Sequence, residues 1–373
     1  MSVPLLDLRA QNELVRQEIV EGLQDLMNRS SFILGSHVAE FEKEVAAYAH
    51  THYAVGVSSG TDAQLLALMA LGVGPGDEVI IPTFTFFSTA GVVARLGATP
   101  VFTDIDPATF NMDPSSLATC LSSKTKAIMP VHLFGQLADM PAIMKMADAL
   151  QVPVVEDACQ SMGARGWGRE AGEWGSMSSF SFYPTKNLGA FGDAGLTTIL
   201  EDESLYKKVK RLRVHGMEPV YVHHEVGING RLDEFQAMVL RSKLKHLESW
   251  HEGRIRNATW YLARLAHLDV DRVELPSFKI PEGRHIYNQF TLKIKKGQRD
   301  TFRAHLNKHE IGNAVYYPMC LHEQPCFAYL GKTQGQFVQS ELAASEVVSI
   351  PVYPEMTLQQ LEEVAEVIES FFR

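Results

Sequence analysis

The sequence predicts an α/β fold: a large domain with a mainly parallel, seven-stranded sheet between helices, then a smaller C-terminal α/β domain. Two observations carry this. Seven short apolar runs alternate with segments of helical spacing across the first two-thirds of the chain. Between them, runs such as GVGPGD (72–77) and DIDPATFNMDP (104–114) supply the Gly and Pro that punctuate elements.

Taken in order, helices over 12–28 and 36–50 precede a first strand, YAVGVSS (53–59), and a helix runs from Thr61 to about Leu71. EVIIP (78–82), a helical segment near 88–96 and PVFTDID (100–106) follow. Next come KAIMPVHLFG (126–135), a helix over 140–150 and VPVVEDA (152–158). SSFSFY (178–183) and LTTIL (196–200) close the series. Strands this uniformly apolar belong to a sheet covered on both faces. A long helical region, about 231–266, leads out of the sheet domain; beyond it lie a strand, YNQFTLKI (287–294), and an amphipathic helix over 357–372. The expected division is 1–248 and 249–373.

Composition narrows the function. The 373 residues are 46% hydrophobic and 21% charged, ordinary for a globular protein with a sizeable core. No apolar stretch approaches the roughly 20 residues that span a bilayer, and MSVPLLDLRAQ turns charged too soon for a signal peptide. Cys120, Cys159, Cys320 and Cys326 are scattered without a C-x-x-C pair, so neither a metal site nor a disulfide framework is expected, and a reducing cytoplasm is. A net charge of −10 argues against nucleic acid. The one basic run, KKVKRLR (207–213), reads as a solvated helix face stopped by Gly216, or as a wall for an anionic substrate.

Three segments bring reactive residues to strand ends, where ligands sit in open α/β sheets. SSGTDAQ (58–64) passes from strand through Gly into a helix, a phosphate cup or simply a cap. VPVVEDACQS ends in Glu156 and Asp157; a buried carboxylate needs a partner, either a salt bridge, a helix cap or a protonated ring nitrogen. In SFSFYPTKNLGAFGDAG, Lys186 stands among Phe180, Phe182, Tyr183 and Phe191, where desolvation favours the neutral, nucleophilic amine. No G-x-G-x-x-G follows the first strand, which argues against a nicotinamide enzyme.

The order of cup, aromatic patch PTFTFF, strand-end acid and lysine resembles the fold-type-I pyridoxal-phosphate enzymes. The resemblance narrows to the sugar aminotransferases of the DegT/DnrJ/EryC1/StrS family. FILGSHVAEFE (32–42), EDACQS, SFSFYPTKNLGAFGDAG, GINGRLDEFQA and YYPMCLHEQPCF (316–327) carry it along nearly the whole chain. It implies Lys186 as the Schiff-base lysine, Asp157 on the pyridine nitrogen, Gln160 near the phenolic oxygen and Phe86 stacked on the ring. Gly60, Thr61 and Ser181 match phosphate contacts. Asn229 matches an asparagine that reaches the phosphate of the other subunit, implying a homodimer with shared sites. Tyr317 and His322 match a segment lining the sugar pocket, or pack a domain junction. His215 is a polar residue at a helix end or a group near the site, and Phe84 and Phe87 read as core.

The family often has Ala where this chain has Cys159 and Asp where it has Ser176. Its dehydratase branch has histidine in place of Lys186, so transamination is implied. Similarity of the YVHHEVGINGRLDE loop points toward amination at C3 of a nucleotide-linked 3-keto sugar, with an amino acid, L-glutamate, as donor. A non-catalytic regulator that binds cofactor or sugar on the same fold is the alternative.

Overall fold

The computed structural model describes residues 2–373. Two helices, α1 (Arg9–Arg29) and α2 (Ser36–Tyr48), lead into β1 (Tyr53–Val57) and α3 (Gly60–Ala70). The chain continues through β2 (Glu78–Pro82), α4 (Ser88–Arg95), β3 (Thr99–Thr103), α5 (Pro114–Cys120), β4 (Thr125–Ile128), α6 (Met140–Leu150) and β5 (Val155–Asp157). Then come β6 (Met177–Ser181), β7 (Gly195–Ile199) and α7 (Glu203–Leu212).

Hydrogen bonding joins β1-β7-β6-β5 in one ladder and β3-β2-β4 in another. Parallel bridges Ile128↔Val154 and Val131↔Asp157 connect the two across β4 and β5, so all seven strands form one sheet. Pro130 and Pro153 explain why that seam is thin: neither has an N–H to donate, and each serves only as an acceptor there, from Asp157 N and Ile128 N. Only β7 runs against its neighbours. Its antiparallel course leaves β1, β5 and β6 all pointing the same way, with their carboxyl ends on one edge.

One apolar layer, including Phe41, Phe180, Phe182 and Leu240, packs the face toward α2, α6 and α8 (Glu234–Leu244). The other, including Leu66, Leu68, Val93 and Ile81, packs the face toward α3 and α4. The basic run departs from expectation. Lys207 pairs with Glu203 on the surface, but Arg213 is only 4% exposed and bonds Glu42 and the Gly56 carbonyl.

The helical region expected over about 231–266 consists of two helices: α8 ends at Leu244, and α9 (Leu247–Leu265) begins after a turn at Lys245 and His246. No Pro or Gly marks this break; a His246 N to Lys243 O bond of 2.9 Å tightens the turn. Beyond α9, β8 (Val273–Glu274), β9 (Phe290–Ile294) and β10 (Val347–Ile350) form a small antiparallel sheet. Helices α10 (Arg299–Lys308) and α12 (Leu358–Phe372) cover it, while α11 (Val338–Glu346) leads into β10. Val3 belongs to this second core. It bridges Ile311 in parallel and is fully buried among Tyr261, Leu306 and Val348.

Candidate active site

The turn after β1 is built to leave donors open. Ser59 caps α3 by accepting from Asp62 N at 3.1 Å. The N–H groups of Gly60 and Thr61, first in the helix, have no acceptor among the described residues, which is where a helix receives an anion. Gly60 must be glycine: a Cβ there would stand 2.7 Å from Ser181 Cβ and 2.9 Å from Cys159 Sγ. That close approach brings the ends of β1, β5 and β6 together.

Glu156 and Asp157 are neighbours on a strand, so they face opposite sides. Glu156 faces the layer behind the sheet. It accepts from the backbone N–H of Gly172, Trp174 and Gly175 and from His132 Nε2 at 2.8 Å. Ala138 N donates to His132 Nδ1, which leaves the imidazole proton on Nε2. Burial raises the Glu156 carboxyl, but His132 and the backbone donors outweigh it and hold it low. Asp157 faces the other way, 4% exposed. It accepts from Thr89 Oγ1 at 2.9 Å and Cys159 N at 3.3 Å, and makes no ion pair among the described residues, although the Lys186 ammonium is near enough to feel its charge.

Lys186 follows β6 in a turn closed by its own N–H to Tyr183 O at 2.8 Å. It is half-buried and lines a cavity with Gln160, Ser181 and Cys159. Burial pushes its pKa down, opposed by negative potential from Cys159 and Asp157. The Cys159 thiol is itself pushed well up by burial, so it is neutral near pH 7 and Asp157 is the opposing charge. A second cation lies behind this turn that the local sequence does not reveal. Lys243 of α8 donates to Gly189 O and sits 4.5 Å from the Phe191 ring centroid, and burial lowers its pKa to about 8.

Gln160 is held at both ends of its amide. Oε1 accepts from Phe134 N at 2.9 Å and Nε2 donates to Tyr317 OH at 3.1 Å. Burial raises the Tyr317 phenol, against a lowering contribution from Gln160. The Tyr317 ring stands 6.1 Å from that of Phe86, whose other side is open: Phe86 is 54% exposed. Phe84 is buried as expected, whereas Phe87 is 46% exposed and stacks on Phe327, so it is not core.

Gly60, Thr61, Phe86, Asp157, Gln160, Ser181, Lys186 and Tyr317 thus converge on one edge of the sheet. The remaining residues do not. Asn229 is exposed and lines a separate polar recess with Ser58, Asp193, Arg231 and Gln236. His215 is exposed in a left-handed conformation (φ 63°), and its carbonyl accepts from His223 Nδ1. His322 is buried behind the patch, with Nδ1 2.8 Å from Thr83 Oγ1 and Nε2 3.3 Å from Glu341. Thr89 is another residue that sequence reasoning missed; its partner is far along the chain, and only a hydroxyl shortly after PTFTFF hints at it.

The family model for the DegT/DnrJ/EryC1/StrS aminotransferase family matches residues 13–369. A pleiotropic regulatory protein of Geobacillus stearothermophilus is 46% identical, the match covering 100% of this chain and 99% of that protein. The UDP-N-acetyl-3-dehydro-alpha-D-glucosamine 3-aminotransferase of Acidithiobacillus ferrooxidans is 41% identical over 98% of this chain and 97% of its own. DesV of Streptomyces venezuelae, solved in complex with a ketimine intermediate, superposes with a TM-score of 0.95 at 38% identity, covering 100% of this chain and 99% of that one.

Proposed function

The chain belongs to the DegT/DnrJ/EryC1/StrS aminotransferase family, and from that premise we propose that it carries an amino group from L-glutamate to C3 of a UDP-linked 3-keto-N-acetylhexosamine. It is a pyridoxal-phosphate-dependent sugar aminotransferase. Its residues fit the cofactor. The open N–H groups at Gly60 and Thr61 suit a phosphate, and Asp157, buried with neutral donors alone, suits a protonated ring nitrogen.

The observation that carries the reading is the placement of Asp157 at the end of β5 and Lys186 just beyond β6, its parallel neighbour, with Lys186 lining the cavity there. Bound pyridoxal phosphate supplies the aldehyde carbon and the electron sink. Lys186 Nζ would serve as the base that takes the proton from the donor's α-carbon and as the acid that gives it back, in both half-reactions. Its lowered pKa keeps enough neutral amine for this work. Asp157 would accept from the protonated ring nitrogen, and Thr89 keeps that carboxylate aimed. Ser181 joins Gly60 and Thr61 on the phosphate. Gln160 orients the phenolic oxygen, and Phe86 covers the ring and excludes water. Tyr317 borders the sugar, and His322 supports that wall from behind through Thr83 and Glu341. The partner subunit's Asn229 completes the phosphate site in a homodimer, and the enzyme works in the cytoplasm.

Transfer of nitrogen from ¹⁵N-glutamate to the UDP-3-keto sugar, read by mass spectrometry, tests the proposal. The wild type is expected to label the sugar and Lys186→Ala is not; labelling by that variant overturns the mechanism. The relative named as a regulator supports a second reading, a cofactor- or sugar-binding signal protein. Intact Lys186, Asp157 and Gln160 weigh against it, and it takes the lead if the wild type transfers no nitrogen to any keto-sugar.

A further inference from the structure

Between β8 and β9, residues 284–289 form a strap across the lysine turn. Ile286 N donates to Gly135 O at 2.9 Å, and Asn187 Nδ2 donates to Ile286 O at 3.2 Å. From behind, Arg254 Nη1 donates to Tyr287 O at 3.2 Å. These bonds place two carboxamides, Asn187 and Asn288, in the wall of the cavity that Lys186 lines.

Asn187 is 6% exposed and Asn288 5%, and the Oδ1 of each is sealed from solvent and accepts no hydrogen bond. Buried acceptors without donors are rare, because desolvation is not offset. The orientation of Asn187 is fixed, since its Nδ2 is already committed to the strap. In the same wall stands a donor with the complementary deficit: Lys186 Nζ makes no hydrogen bond among the described residues. The cavity measures about 10 Å³, the room of a single water at most, so its walls are close.

We infer that Asn187 and Asn288 are positioning residues for Lys186: their carboxamide oxygens receive Nζ in a second position, adopted whenever the lysine is not joined to the cofactor. This rests on Lys186 being the cofactor lysine. A lysine that shuttles protons must step aside and carry a positive charge inside a desolvated site. Carboxamide oxygens accept from an ammonium without competing for its proton, which a carboxylate does not guarantee. The titratable groups facing Lys186 are Asp157 and Cys159, from β5 and the turn beyond it. The strap adds only neutral groups to that wall, and burial keeps its His285 uncharged, with a pKa lowered to about 3.

The test is the pH titration of Lys186 in the full-length protein freed of cofactor. It is read as peptide-resolved reductive methylation with formaldehyde and cyanoborohydride. Asn288→Leu removes an acceptor and is expected to lower the Lys186 midpoint by about one pH unit, a tenfold shift in the protonation equilibrium. Asn288→Asp is expected to raise it by about as much. Met162→Leu reshapes the same wall without removing an acceptor and is expected to leave the midpoint in place. A wild-type midpoint in either Asn288 variant overturns the inference, as does an equal shift in Met162→Leu. If the leucine variant does not fold, the aspartate variant decides. Because the titration needs no turnover, it stands apart from the aminotransferase reading, which fails by absent nitrogen transfer.

Discussion

Thr89 Oγ1 donates to Asp157 Oδ2 at 2.9 Å, joining residues 68 positions apart in the buried floor of the site. One hydroxyl from the first turn of α4 therefore sets the aim of the acid at the end of β5. Thr89→Val keeps the shape and deletes the donor. Its affinity for pyridoxal phosphate is expected to fall about tenfold, the size of one lost bond to a charged group. Thr89→Ser should stay near wild type, and titration of the visible cofactor band measures both.

The adjacent carboxylates should fail in different ways. Glu156→Gln puts an amide among three N–H donors and is expected to cost about 2–3 kcal/mol of stability, seen as a lower melting temperature of the cofactor-free protein. Asp157→Asn should melt close to wild type without cofactor while losing nearly all nitrogen transfer. Equal melting losses in both variants would contradict this division of roles.

Gly60→Ala forces a methyl into the approach of Ser181 and Cys159. The chain can relieve this only by moving the start of α3, and with it the open N–H groups. Cofactor affinity is expected to drop at least ~10-fold, with a stability loss of about 1–3 kcal/mol from the overpacking. A variant that binds cofactor as wild type does would show that the approach can loosen freely.

Away from the site, burial raises the Glu170 carboxyl to about 7, against the lowering influence of Arg165, Arg284 and His50. The folded state thus binds this proton more tightly than the unfolded chain. Its contribution is fully present below the ordinary carboxylate range and is lost as pH rises toward 7. Glu170→Gln should remove that loss, making the variant more stable than wild type at pH 8 by about 1–2 kcal/mol after allowing for solvent screening. Near pH 4 the two should be closely matched, and denaturant unfolding at both pH values provides the comparison.

Much of the sheet was legible because its strands are short apolar runs between strong breakers: EVIIP is a strand over the same residues, 78–82, in sequence and structure. The same holds for the helix at 140–150, with Asp139 as its cap. The turn at Lys245 and His246 was not legible, since no residue there opposes helix. In the site, alternation along β5 requires Glu156 and Asp157 to diverge, but which one meets the cavity depends on what packs on each face. Thr89, Lys243 and Asn288 were invisible for a related reason. Each acts through a partner distant in sequence, and none carries a local pattern of its own. Phe87 went astray because an apolar residue beside a buried one, Phe84, reads as core although its ring lies at the surface.

Val3 hydrogen-bonds across to Glu310 and Gly312, on the far side of the whole sheet domain in chain order. During synthesis, Val3 must therefore wait for Glu310 and Gly312 before it finds its place. The sheet around Lys186 can close before residues 290–368 are made, but the core beneath Val3 cannot. Assembly of this protein is ordered in time, with the catalytic layer ahead of the module that Val3 helps to finish.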